Sequence, residues 1–193
     1  FEDCSGLTSV TIPSSVTNVG AFAFRACNGL REISVDPENV AYSSLDGILY
    51  GDDGKLIKCL KSKSGAVTIP SGVTSIGEEA FFDCDGLESV TIPEGVTNIG
   101  DYAFSGCTGL RSVVIPEGVT SIGDFAFYDC SGLASVTIPA SLTDVSETAF
   151  SDCTAIRSVT LHACALRMYS LFPSSYENIA NVRICVGVTS IGE

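Results

Sequence analysis

Residues 107–130 read CTGLRSVVIPEGVTSIGDFAFYDC, and this stretch decides the fold because near copies of it fill most of the chain. The shared text is C-x-G-L-x-S-V-x-I-P-x-x-V-T-x-I-G-x-x-A-F-x-x, with a period of 23 residues. Self-similarity at such a period predicts stacked units, each of which buries its apolar face against its neighbours. Four cysteine pairs have this spacing: Cys4 and Cys27, Cys84 and Cys107, Cys107 and Cys130, and Cys130 and Cys153.

The central apolar residue of the L-x-x-V-x-I segment marks each unit. Every step between successive markers is 23 residues, except the step from Ile33 to Val67, which is 34, so 11 residues are inserted there. The sequence therefore predicts a single domain of about eight coils over residues 1–193. The markers are Val10, Ile33, Val67, Val90, Val113, Val136, Val159 and Val182.

The repeat text predicts two short strands and one turn of helix in each coil. Leu110, Val113 and Ile115 have the alternation of a strand with one buried face, and Pro116 ends it because proline cannot donate to a strand ladder. V-T-x-I predicts a second, shorter strand, and A-F-x-x-C predicts a helical turn. Stacked first strands would form a parallel sheet with about 4.8 Å between coils. The fold class is thus a β-solenoid with a phenylalanine column: Phe1, Phe24, Phe81, Phe104, Phe127 and Phe150.

Residues 36–65 depart from the repeat text and contain the insertion. Within them, Ile48–Tyr50 and Lys55–Leu60 flank a Gly-Asp-Asp-Gly sequence, which predicts a β-hairpin with an acidic turn.

The last coil, 161–193, keeps the apolar spacing but has lost the repeat text. Tyr176 stands at its cysteine position and Pro173 at its phenylalanine position, so residues 161–178 are expected to follow a different path outside the sheet. Both ends of the chain fall inside a repeat, and we expect the chain to be a segment of a longer protein.

The composition argues against two kinds of partner. With 23 acidic and 10 basic residues the net charge is −13, which repels nucleic acid and anionic membrane surfaces. Apolar stretches are too short to reach the roughly 18 residues that span a bilayer, so no membrane insertion is expected in this segment. The sequence opens without a recognisable signal peptide.

The repeat text closely resembles the BspA-like leucine-rich repeats, and the resemblance covers nearly the whole chain. Even the insertion, with YSSLDGILY at residues 42–50, looks like the longer repeat variant of that family. The resemblance implies a leucine-rich-repeat solenoid in a bacterial or protozoan protein at the cell surface or secreted. It also implies adhesion to host matrix proteins or to other cells.

The nine cysteines do not have the spacing of a metal site. Structural zinc motifs place cysteines about two to four residues apart, whereas these recur once per coil. Stacked cysteines would lie within disulfide distance, but their parallel side chains make the S–S torsion hard to satisfy. Buried free thiols are therefore expected, with at least one cysteine unpaired in the chain because the count is odd.

No catalytic constellation is visible, and the chain is predicted not to be an enzyme and to need no cofactor. His162 is the sole histidine and stands just after Leu161, where other coils have proline, which indicates a strand-end residue. The pairs Asp52–Asp53 and Glu78–Glu79 are expected to be solvated turn charges.

The outward-facing positions of the first strands are the predicted binding surface, because the core columns leave them free to vary. Serine and threonine at these positions can equally serve as a solvated β-surface. Arg31, Arg111 and Arg157 are the first residues to test, since arginine is favoured among binding hot spots. The charged candidates on the strands are Arg31, Glu32, Glu88, Arg111, Arg157 and Arg183.

Lys55 and Lys58 are further candidates because they belong to a cluster of lysines in the insertion. Four lysines lie in the nine residues from 55 to 63: Lys55, Lys58, Lys61 and Lys63. This basic strip would suit an acidic glycan or an acidic neighbouring subunit. Alternatively, the lysines protect an exposed hairpin edge from unwanted pairing.

These observations predict a non-catalytic interaction or adhesion module of a cell-surface or secreted protein. Its partner would be a protein or glycan ligand, such as host matrix or another cell surface. The alternative is a structural spacer with no partner of its own.

Overall fold

The computed structural model describes residues 1–20, 22–162 and 171–185. Short strands and turns make up nearly all of these residues, and one 3-10 helix spans Tyr176–Asn178. The strands in chain order are β1 (Ser9–Ile12), β2 (Glu32–Val35), β3 (Tyr42–Leu45), β4 (Ile48–Gly51), β5 (Lys55–Cys59), β6 (Gly65–Thr68), β7 (Ser75–Ile76), β8 (Leu87–Thr91), β9 (Asn98–Ile99), β10 (Ser112–Val114), β11 (Ser121–Ile122), β12 (Ser135–Ile138), β13 (Asp144–Val145), β14 (Ser158–Leu161) and β15 (Asn181–Ile184).

The first strands stack in parallel, and each contains one of the eight marker residues. Val10 pairs with Ile33, and Val136 pairs with both Val113 and Val159. Like residues lie over like because a slip of one residue would turn the buried face of a strand to solvent. These eight strands bound seven complete turns, and the predicted β-solenoid is confirmed.

The predicted second strands are also present: β7, β9, β11 and β13 run in parallel, and β5, which is an arm of the predicted hairpin, pairs with β7 at their edge. Four of these strands are only two residues long. Glycine follows β7, β9 and β11 because the chain there passes very close to the preceding coil. A Cβ atom at Gly100 would lie 2.8 Å from the backbone nitrogen of Glu78, so a larger residue would force the coils apart.

The insertion divides the solenoid. β1 and β2 form a two-stranded sheet, whereas β6, β8, β10, β12, β14 and β15 form a separate six-stranded sheet. Between them, β3 and β4 add to the edge of β5 in antiparallel order. The core is divided as well: Leu49 and Leu60 pack with the first two coils, and Ile48 and Leu56 pack with the main core.

The aromatic column passes through the main core. Phe104 stacks on Phe81 at 4.8 Å and on Phe127 at 5.1 Å between ring centroids, and all three are fully buried. Burial of each such ring stabilises the fold by about 1.5–3 kcal/mol. The last coil also contributes a phenylalanine: Phe172 is fully buried and lies 5.1 Å from Phe150.

Phe172 corrects the expectation for the last coil. The repeat spacing assigns the phenylalanine position to Pro173, but Pro173 is exposed and its neighbour Phe172 fills the column. β15 then pairs in register with β14, so the solenoid continues at residues 181–184. The rest of the predicted detour, at 163–170, lies outside the described residues.

The turns that precede each cysteine are not helical. In residues 100–107, Tyr102 and Gly106 have φ angles of 53° and 73°. These left-handed residues turn alternate N–H groups toward the next coil: the nitrogens of Tyr102, Phe104 and Gly106 donate there at 2.7–2.9 Å. The predicted helical turn is therefore replaced by consecutive tight turns. Their backbone N–H groups continue the ladder of hydrogen bonds between neighbouring coils.

Candidate interaction surface

The outer face of the six-stranded sheet is mostly polar. Ser89 and Ser112 are exposed and aligned in register, while Val90 and Val113 beside them point into the core. Val114, which is 63% exposed, is the apolar member of the adjoining threonine column. The face therefore varies without disturbing the core, as a recognition surface requires.

Three predicted residues lie in one column of this face. The backbone nitrogen of Arg111 donates to the carbonyl of Glu88, and that of Arg157 donates to the carbonyl of Ala134, which itself follows Arg111 in the stack. Arg111 and Arg157 are thus two coils apart, about 10 Å between backbones. Arg183 lies one coil further, opposite Thr160 in the neighbouring threonine column. All four charged residues are exposed.

Arg157 is the best fixed of these arginines. Its Nη1 donates to the carbonyl oxygens of Thr154 and Ile156, each at 3.1 Å, while the side chain remains exposed. Arg31 and Glu32 are exposed too, but they lie on the two-stranded sheet beyond the insertion. The structure therefore groups Glu88, Arg111, Arg157 and Arg183 and leaves Arg31 and Glu32 apart.

The lysines of the insertion mostly bond within the chain. Lys58 is half-buried and burial lowers its pKa, whereas Lys55 borders a depression that it shares with the acidic Glu78 and Asp101. Three of the lysine ammonium groups donate to neighbours: Lys58 to the carbonyl of Glu79 at 3.0 Å, Lys61 to the carboxylate of Asp83 at 3.2 Å and Lys63 to the carbonyl of Asp46 at 3.0 Å.

Glu79 is a buried carboxylate, not the solvated turn charge expected from the sequence. It is 5% exposed, and its Oε1 lies 3.2 Å from Nε of Arg25 in the first two coils. Burial raises the pKa of Glu79, although Arg25 and Lys58 act in the opposite direction. The sequence conceals this ion pair because the insertion separates the two residues along the chain.

The cysteine column is a ladder of hydrogen-bonded thiols. Sγ of Cys130 donates to the carbonyl of Phe104 at 3.1 Å, and Sγ of Cys153 donates to the carbonyl of Phe127 at 2.9 Å. Cys27 and Cys107 bond in the same way to the phenylalanine of the preceding coil, whereas Cys59 and Cys84 donate to the carbonyl of Leu60 at 3.7 Å. The eight cysteines described are free, and Cys164 lies outside the described residues.

His162 pairs with a carboxylate two coils away. Its Nδ1 lies 2.9 Å from Oε1 of Glu117, whose Oε2 accepts the backbone N–H of Ala140. His162 directly follows β14, so the structure puts it at the strand end. Glu117 therefore links three successive coils at their proline corners.

Among residues 1–20, 22–162 and 171–185, no three His, Cys, Asp or Glu side chains are arranged to hold a metal ion. The same part of the chain contains no helix with the length and apolar character needed to cross a bilayer.

Several bacterial proteins of known structure are similar to this chain. A leucine-rich cell surface protein from Faecalibacterium prausnitzii is 32% identical over 80% of this chain and 48% of its own, with a TM-score of 0.64. A leucine-rich repeat protein from Eubacterium ventriosum is 26% identical over 91% of this chain and 48% of its own, with a TM-score of 0.75. The pneumococcal vaccine antigen PcpA, 18% identical with a TM-score of 0.67, shares the fold over 93% of this chain and 56% of its own.

The chain thus spans about half the length of these proteins. None of the curated proteins matches it significantly. The profile of the BspA type leucine rich repeat region matches residues 1–45 and 58–175 in six copies. The matched ranges contain strands β1–β3 and β6–β14 and the phenylalanine column, and the chain belongs to the BspA-type leucine-rich repeat family.

Proposed function

We propose that the chain is a non-catalytic adhesion module of a cell-surface or secreted protein, with residues 1–193 acting as one unit. It binds a protein or glycan ligand of host matrix or of another cell. The similarity to a bacterial cell surface protein supports the location. The observation that carries the binding role is the exposed arginine strip, defined as Arg111, Arg157 and Arg183, on the polar face of the six-stranded sheet.

The arginine strip favours an acidic ligand. Arginine forms paired hydrogen bonds with carboxylate, sulfate or phosphate groups, and it recurs at interface hot spots. On a chain of net charge −13, three neighbouring cations create a local attraction that the rest of the surface opposes. The strip would therefore fix where and how a ligand docks.

The test is capture on immobilised matrix proteins and on heparin, a sulfated glycan. Replacing Arg111, Arg157 and Arg183 together with alanine should weaken capture at least tenfold, since a hot-spot residue contributes more than about 1 kcal/mol. The melting temperature should not change because the three side chains are exposed. Arg31→Ala, on the other sheet, is the matched control and should have little effect.

Capture that survives the triple substitution would refute the role of the strip. An intact chain that binds none of the immobilised ligands would favour the alternative function, a spacer that holds another domain away from the surface.

A further inference from the structure

Three aromatic side chains lie together outside the core, on the turns of successive coils. The rings of Tyr102 and Phe125 stack at 5.2 Å between centroids, and the rings of Phe125 and Tyr128 are nearly perpendicular with centroids 5.6 Å apart. Tyr128 is 37% exposed and the other two are half-buried. We call these three residues the aromatic cluster; none of them belongs to the arginine strip.

The cluster is held by a backbone conformation that bulky residues avoid. Tyr102 and Phe125 have φ angles of 53° and 54°, where glycine would be the most comfortable residue. Their N–H groups are fixed to the next coil, at Asp124 O and Thr148 Oγ1. The rings are thus fixed before any ligand arrives, and such strain is typical of binding sites.

The surroundings of the cluster are acidic. The neighbouring carboxylate of Asp152, together with the charge of Asp129, raises the pKa of the Tyr128 phenol. The turns at 100–107, 123–130 and 146–153 contain no basic residue. Their five acids are Asp101, Asp124, Asp129, Glu147 and Asp152.

The first coils show what such an arrangement binds. Phe22 occupies the same repeat position as Tyr102 and Phe125. The guanidinium of Arg25 lies 5.1 Å from the centre of its ring and also pairs with the carboxylate of Glu79. An aromatic ring at this position together with a carboxylate thus binds an arginine of the same chain.

We propose that the aromatic cluster binds a cationic peptide segment of a partner protein, one arginine or lysine on an outer face of the Tyr102–Phe125 stack and a second beside Asp129 and Asp152. Cations within about 6 Å of an aromatic ring are attracted by its negative face. A neutral glycan could stack on the same rings, but it would gain nothing from the net charge of the five acids. The inference rests on the interaction role proposed above and assigns it a second surface.

A synthetic peptide of alternating arginine and glycine is the probe, with a glutamine–glycine peptide as its uncharged counterpart. We expect the arginine peptide to bind and added salt to weaken binding. Tyr102→Gly combined with Phe125→Gly should lower its affinity about tenfold, because the cation–π contact with this stack is lost. Glycine relieves the left-handed strain, so the variant should keep its fold, which circular dichroism checks.

Matched variants separate this surface from others. Asp129→Asn with Asp152→Asn should weaken peptide binding more than the charge-matched Glu94→Gln with Asp144→Asn, which lie elsewhere. Val114→Ser removes an exposed apolar residue from the strand face and should leave peptide binding unchanged.

Arg111→Ala with Arg157→Ala should also leave peptide binding unchanged, so failure of the arginine strip and failure of the cluster are distinguishable. Equal binding of the uncharged peptide, preference for a neutral glucan, or full affinity in the double glycine variant would overturn the inference.

Discussion

At the scale of single residues, the position before the cysteine in six of the repeats carries a conformational requirement that the consensus hides. Four of the six residues there are aspartate, which together with glycine tolerates the left-handed region best. The consensus writes this position as x, yet the enrichment in aspartate could have predicted it. The residues, with φ between 49° and 73°, are Asp3, Ala26, Asp83, Gly106, Asp129 and Asp152.

Ala26 is the poorest fit to this position, so Ala26→Gly should stabilise the protein. Its φ is 52° and its side chain is exposed, so little contact is lost. Relief of strain outweighs the added chain entropy by about 0.5–1 kcal/mol, which urea denaturation can measure. Gly106→Ala is the reverse control and should destabilise, because its Cβ would also meet the Asp83 carboxylate. A destabilised Ala26→Gly variant would contradict this account.

The buried thiols should make the protein sensitive to alkali. Burial raises the pKa of Cys107 and Cys130 well above the ordinary value. Unfolded thiols lose protons above about pH 8.5 while the folded ones remain neutral, so the unfolded state gains stability as the pH rises. The free energy of unfolding should then fall by about 1.4 kcal/mol per pH unit for each such thiol.

Denaturation in urea between about pH 7.5 and pH 10.5 measures this slope. Cys107→Ala with Cys130→Ala lowers stability at neutral pH but should reduce the slope by two thiol contributions. An unchanged slope in that variant would show that other groups control the alkaline transition.

At the scale of elements, the sequence predicts strands wherever a local pattern determines them. Alternating apolar residues and the proline that follows set the first strands, and valine, isoleucine and glycine set the second strands. The division of the first strands into two sheets could not be predicted from the sequence. It depends on the pairing of β4 with β5, which puts β4 next to β5 in the sheet of second strands. The place of Phe172 in the aromatic column was not predicted, because the 23-residue spacing assigns that place to Pro173. In the structure the residue one position earlier fills the column instead.

Leu49 should control the attachment of the first two coils. It is fully buried and packs in the N-terminal core, whereas Ile48 beside it packs in the main core. Leu49→Ala should cost about 2–5 kcal/mol through the cavity it leaves. Hydrogen exchange should then show lost protection in β1 and β2 while β8, β10 and β12 stay protected.

Leu110→Ala is the matched control, since Leu110 is equally buried in the middle of the main core. It should reduce protection throughout the six-stranded sheet. If Leu49→Ala instead reduces protection uniformly, the two cores unfold as one unit.

At the scale of the molecule, stacking of the coils brings residues that are 23 positions apart in the sequence side by side, so that they form continuous surfaces. Because the register is fixed, the positions of Glu88, Arg111 and Arg157 follow from the repeat alone. The separation of Arg31 from them does not, since it depends on the insertion. The aromatic cluster was missed because its residues lie at unassigned positions of the consensus, although aromatic residues in a turn were a usable signal.

Stacking also places like charges over like, so we expect salt to stabilise this protein. Glu78, Asp101, Asp124 and Glu147 occupy one repeat position, and Asp101 accepts the N–H of Asp124 at 2.8 Å, which keeps the acids close. Raising NaCl from about 0.02 M to about 0.3 M shortens the screening length from roughly 20 Å to roughly 6 Å. On a chain of charge −13, this screening should raise the melting temperature by roughly 2–4 °C, equivalent to about 1 kcal/mol. Asp101→Asn with Asp124→Asn keeps the acceptor oxygens and removes two charges, so it should melt higher at low salt and respond less to NaCl. A melting temperature that stays constant or falls with salt would mean that attraction by lysines and arginines already balances the acid column.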